Sequence, residues 1–150
     1  MYDAAMIRWI GAFVAGVAAF CACDFVWLGF VASDFYASRL NGLLLDEPRI
    51  TAAIVFYPLY VVGLLVFCVG PAQAARSWRR AALRAALFGL IAYSTYDLSN
   101  LATLRGWSVA VTLVDVAWGM IVSSITALVA YAAAAAVPPA QGTASPPATR

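Results

Sequence analysis

Residues 83–103 read LRAALFGLIAYSTYDLSNLAT, and the fold turns on how that stretch is understood. Its first half, Leu83 to Ala92, is apolar except for Arg84. Its second half carries Tyr93, Tyr96, Asp97 and Asn100. It is either one helix of a soluble core or a membrane helix with a polar face. The rest of the chain decides between them. Hydrophobic residues make up 65% and charged residues 11%, with a mean hydropathy of +0.89. Soluble proteins hold roughly 45–50% and about 25%. A soluble domain of this length needs a polar shell, and too few polar residues exist to build one. The stretch is therefore read as a membrane helix.

Working outward, four apolar segments reach the ~20 residues that cross a bilayer. They are expected at about 7–31, 51–69, 83–103 and 108–136. The second closes at Gly70-Pro71. The first continues apolar through Phe25 to Phe30, past a normal signal core, and reads as a retained helix. The fold class is all-α: a polytopic membrane protein, a four-transmembrane-helix bundle forming one domain over residues 1–136. Arg8, Arg76, Arg79, Arg80, Arg84 and Arg150 fall on one side of the four spans; Arg39, Arg49 and Arg105 fall on the other. The excess places both termini in the cytoplasm. Residues 137–150 are rich in proline and alanine and are expected to be disordered. The loop from Ser33 to Ile50 is expected to lie along the outer interface, partly helical.

Composition also excludes functions. The net charge is +2, and all nine basic residues are arginines. No basic run interleaved with aromatics suggests a nucleic-acid surface. The chain has no histidine, which removes the commonest metal ligand and the usual pH switch. Cys21 and Cys23, two apart, point to different sides of a helix and read with Cys68 as small apolar residues. Neither a metal nor a cofactor is expected. The expected partners are the lipid bilayer and a bound small molecule or lipid.

Three aspartates lie inside the spans: Asp24, Asp97 and Asp115. Each costs ~2.5–3.5 kcal/mol near a helix centre, so the three together cost on the order of 8–10 kcal/mol if unassisted. At the helical rise all three fall within ~5–8 Å of the midplane, in the outer half. Three helices that each place an acid in one layer point to a shared site open to the outer side. Tyr93, Tyr96, Asp97 and Asn100 follow i, i+3, i+4, i+7 and are expected to form one inward stripe. Tyr57 and Tyr60 flank Pro58 on the second helix. Trp27 follows Asp24 by three. Asp115 sits among Thr112, Gly119, Ser123 and Thr126, with Trp118 beside it. Asp24, Trp27, Tyr57, Tyr60, Tyr93, Tyr96, Asp97, Asn100, Asp115 and Trp118 are thus the candidate ligand-binding residues; no catalytic residue is assigned.

No arginine shares this layer, so at least one of the three carboxyls is expected to keep a proton and donate it to another carboxylate, a tyrosine or Asn100, or else a bound cation or amine compensates them. The bland alternative is interhelical glue, at ~0.6 kcal/mol for an average bond. Three aspartates are an expensive way to obtain it. Trp107 reads as an interfacial anchor, and Gly63, Gly89 and Gly119 as points of close helix approach.

Taken in order, these stretches resemble the domain-of-unknown-function family 2177 of bacterial predicted membrane proteins. The likeness is carried by Asp24-Phe25-Val26-Trp27-Leu28-Gly29, Phe56-Tyr57-Pro58-Leu59-Tyr60 with Gly63, Gly89-Leu90 with Tyr93 through Asn100, Trp107-Ser108, and Asp115-Val116-Ala117-Trp118-Gly119. It implies a four-helix protein of the bacterial inner membrane and lends no activity.

Three functions compete. The first is binding or transport of a small cationic, polar or amphiphilic molecule; four spans are few for a transporter, so a homodimer is expected. The second is an intramembrane enzyme using paired aspartates as acid and base on a lipid or isoprenoid. The third is an accessory subunit whose polar layer only sets helix register.

Overall fold

The computed structural model describes residues 2–40, 42–45 and 47–137. The tail expected to be disordered lies, from residue 138 on, outside the described residues. Every regular element among the described residues is helical. α1 (Tyr2–Val26) runs directly into a π-helical turn, Trp27–Val31, where Ala32 N–H reaches the Trp27 carbonyl at 2.8 Å. A short helix follows in the first loop, α2 (Ser33–Arg39), as the sequence suggests for part of that segment. α3 (Ile50–Leu64) continues through a second π turn, Leu65–Val69, into α4 (Gly70–Ala74). α5 (Trp78–Thr103) and α6 (Val109–Ala136) complete the chain.

Gly70-Pro71 does not end the second helix, contrary to the sequence expectation. The π turn hands Gly70 N–H to the Leu65 carbonyl, and Pro71 then opens the renewed helix, where its missing N–H is tolerated. The chain leaves the helix only at Arg76, whose φ is 49°. Ser77, which precedes α5, caps it through Arg80 N–H, so the third long helix begins at Trp78 rather than Leu83.

The four long helical runs are 2–31, 50–74, 78–103 and 109–136. Among the described residues, three are long and apolar enough to cross a membrane: Ala4–Val31, Ile50–Ala74 and Val109–Ala136. α5 has the length, but Arg79, Arg80 and Arg84 at one end and the polar run 93–100 at the other make it less apolar.

α1 and α6 are antiparallel neighbours. Gly16 faces Thr126 and Ala130, whereas Asp24, two turns on, faces Trp118, two turns back. α5 lies along α6, and the two backbones come closest at Gly89 and Gly119. A Cβ on Gly89 would collide with the Gly119 carbonyl and Ser123 Oγ; one on Gly119 would collide with the Tyr93 ring. Phe20 of α1 is fully buried and gathers Phe56, Tyr57 and Tyr60 of α3 at ring-centroid distances of 5.9, 5.2 and 5.0 Å. Val61, Leu64, Val69, Val111 and Val122 and small residues (Ala12, Ala81, Ala85, Ala127, Ala130, Ala134) make up most of the remaining interior. The outer face of every long helix carries exposed large apolar residues, drawn mainly from Leu, Ile, Val and Phe. That is the distribution expected against lipid rather than water.

Candidate functional site

Two Asp-x-x-Trp segments build the centre of the site. On a helix, residues three apart share a face, so Asp24 and Trp27 project together from α1, as Asp115 and Trp118 do from α6. Because the two helices are antiparallel, the segments interlock. The indoles of Trp27 and Trp118 stack with centroids 4.3 Å apart and planes within 5°. Trp118 Nε1 then donates across to Asp24 Oδ1 at 2.9 Å. In the opposite sense, Trp27 Nε1 donates to the Tyr36 hydroxyl at 3.1 Å, and that hydroxyl donates to Asp115 Oδ1. Each acid is thus served by the tryptophan of the other helix, one directly and one through Tyr36. The spacing makes the two segments look alike; the fold makes them exchange partners.

Tyr36 was not among the sequence candidates. It comes from α2, 79 residues from its acid, and only its place on an amphipathic turn after a span hints at a role. Burial, then the bond to Asp115, holds its hydroxyl above the ordinary tyrosine range. It therefore remains a donor, and α2 is tied down across the end of α1 and α6.

Asp24 is only 7% exposed, yet it forms the floor of an open cleft of about 490 Å³ between α1 and the start of α3. Phe25, Leu28, Pro48, Ile50 and Tyr57 wall this cleft, and the Tyr57 hydroxyl flanks the carboxylate. Its lining reaches the first loop at Pro48. A second, almost wholly apolar cleft of about 360 Å³ opens between α3 and α5, lined by Phe56, Tyr60, Ala92, Tyr93 and Tyr96. Tyr60 is buried between the helices, its hydroxyl 2.7 Å from Ser123 Oγ.

The stripe expected on α5 divides. Asp97 is fully buried, but Tyr96 is 57% exposed and packs edge-on against Trp107 at 5.7 Å. Trp107 in turn donates to Thr112 Oγ1 at 3.1 Å. Neither carboxylate oxygen of Asp97 has a hydrogen-bond partner among the described residues, whereas Asp115 is bonded to a tyrosine, Tyr36. Asp97 and Asn100 line neither cleft. Asp24, Trp27, Asp115 and Trp118 come together as one network, Tyr57 borders it, and Tyr60, Tyr93 and Tyr96 belong to the neighbouring cleft.

Among the described residues, no three of His, Cys, Asp or Glu are grouped to hold a metal ion. What the network offers chemically is a carboxylate at the base of an aromatic, largely apolar cleft.

A family model described as "Predicted membrane protein (DUF2177)" matches residues 9–132 of the chain. No curated protein and no solved structure matches it.

Proposed function

The chain belongs to the DUF2177 family of predicted membrane proteins, and on that premise we propose that it crosses the bacterial inner membrane four times, with both termini in the cytoplasm, and binds a small cationic amphiphile at Asp24. α5 is the fourth span in this reading. Its outward positions Leu83, Leu87, Ile91 and Leu98 are exposed, while its inward positions are Ala81, Ala85, Gly89 and Asp97. Apolar residues outside and a carboxylate inside suit lipid on one side and protein on the other. Arg8 Nη2 donates to Gln73 Oε1 at 2.8 Å, which puts the start of α1 beside the Arg76–Arg84 cluster. The arginine-rich end is the cytoplasmic one by the charge rule. The Asp24 cleft then opens on the outer side.

The observation that carries the ligand class is the Asp24 cleft itself. A carboxylate at its floor supplies one negative charge. Phe25 and Tyr57 supply aromatic faces for cation–π contact with an ammonium group. Leu28 and Ile50 supply a surface for an alkyl chain. A compact cation with an apolar tail satisfies all three features at once. Transport of such a molecule would engage a second copy of the chain.

The test uses protein in nanodiscs and follows intrinsic tryptophan fluorescence, to which the Trp27–Trp118 stack contributes. Dodecyltrimethylammonium should bind saturably and dodecanol should not. Asp24→Asn should weaken the ammonium by about tenfold, on the order of 1.4 kcal/mol. Equal response to both amphiphiles, unchanged by Asp24→Asn, would leave the acids as register-setting glue.

A further inference from the structure

We propose that the arginine-rich end carries a separate site for an anionic phospholipid, with its phosphate on Arg84 and an acyl chain in the groove between α5 and the π turn that follows α3. The groove holds about 360 Å³ and is lined by Phe67, Cys68, Arg84, Leu87, Phe88 and Ile91. It is apolar throughout except for one guanidinium at its end.

That guanidinium is held in place by a backbone defect. In a regular α-helix the Phe67 carbonyl would accept from the N–H four residues on, which is Pro71 and has none. Arg84 Nε donates to this carbonyl at 2.9 Å. The bond fixes the arginine and spends one of its five donors. Nη1 and Nη2 have no partner among the described residues and remain available for the paired oxygens of a phosphate, the geometry a guanidinium fork suits.

The surroundings favour an anion. Arg80 lies one turn before Arg84 on the same face and is exposed, with Arg76 and Arg79 beyond it. No acidic residue occurs in the sequence between Glu47 and Asp97, or after Asp115. Asp3, at the start of α1, is the one acid that the sequence places at this end, against Arg8, Arg76, Arg79, Arg80 and Arg84, so the net charge here is positive, and basic pockets between helices on the cytoplasmic side bind anionic head groups. An orientation signal alone needs only charge; it does not need an arginine pinned at the head of an acyl-sized groove. This site is independent of the Asp24 cleft.

Native mass spectrometry of delipidated protein, titrated with phosphatidylglycerol or phosphatidylcholine, tests the proposal. Phosphatidylglycerol should bind preferentially. Arg84→Gln should cut its affinity by about fivefold, and Arg84→Lys, which keeps the charge but loses the fork, should cut it nearly as far. Ile91→Trp, which fills the groove and leaves every arginine in place, should weaken binding as well. Arg79→Gln should have little effect, and inorganic phosphate should not displace the lipid. Equal losses from Arg79→Gln and Arg84→Gln, an unaffected Ile91→Trp variant, or displacement by phosphate alone would overturn the site.

Discussion

The two ends of the molecule are held together by different means. Towards the arginine-rich end the helices meet largely through small residues, Ala12, Ala81, Ala85, Ala127, Ala130 and Ala134, with Leu64 and Val69 among them, and most side-chain polar bonds go to backbone carbonyls: Gln73 Nε2 to Tyr131 at 2.7 Å, Ser124 Oγ to Ala82 at 3.2 Å and Arg84 Nε to Phe67 at 2.9 Å, beside Arg8 to Gln73. At the other end, aromatic rings replace the alanines and side-chain hydrogen bonds cross between helices: Trp118 to Asp24, Trp27 to Tyr36 to Asp115, and Tyr60 with Ser123. Lipid offers no hydrophobic drive to press helices together. Backbones that approach through small residues gain dispersion contacts and close tightly. Bulky rings hold backbones apart and leave clefts, and polar bonds must then fix their geometry. The alanine end is a clamp along the α5–α6 and α1–α6 contacts, with a groove at its outer face beside Arg84, and the aromatic end holds the Asp24 cleft between α1 and α3.

This contrast can be broken at the boundary between the two regimes. Gly119→Val places methyl groups into Tyr93 and pushes α5 off α6. Because the obstacle includes Tyr93 Cβ, which is fixed to the α5 backbone and cannot swing aside, the expected loss is about 3 kcal/mol, at the top of the overpacking range. Thermal unfolding in detergent should show a lower midpoint for the whole protein, with both regions melting together. Unchanged melting would mean that α5 and α6 are not closely apposed there.

A milder change sharpens the contrast. Tyr36→Phe removes the link between Trp27 and Asp115 without altering the alanine end. Global stability should fall by only ~0.6 kcal/mol, the size of an average bond of this kind. Hydrogen exchange within α2 should accelerate while exchange in the α5–α6 contact stays the same. Faster exchange spread evenly over the molecule would show that Tyr36 supports the fold as a whole rather than tethering one loop helix.

Much of this was legible from local pattern. Apolar run length marked the helices, the cost of an acid in lipid singled out Asp24, Asp97 and Asp115, and the i, i+3 spacing paired each Asp with its Trp. Three features were not legible, for separate reasons. The exchange of partners between Asp24 and Asp115 joins residues 94 and 79 apart in sequence, so no local period encodes it. The stripe on α5 divides because Tyr96 and Asp97 are consecutive, about 100° apart around a helix. α5 packs chiefly on α6, so only one of them can face inward. The helix end expected at Gly70-Pro71 failed because a π turn absorbs one residue before the proline and restarts the helix with it. Glycine and proline there mark a change of register.

The most direct test of the ligand cleft uses a reporter already in its wall. Cys21 is exposed and lines the cleft with Asp24, whereas Cys68 is buried. With Cys23→Ser and Cys68→Ala in place, the rate at which a small uncharged maleimide alkylates Cys21 would be measured in nanodiscs. Dodecyltrimethylammonium should slow alkylation, dodecanol should not, and Asp24→Asn should abolish the protection. Alkylation at the same rate with and without the ammonium would contradict a cation-binding cleft at Asp24.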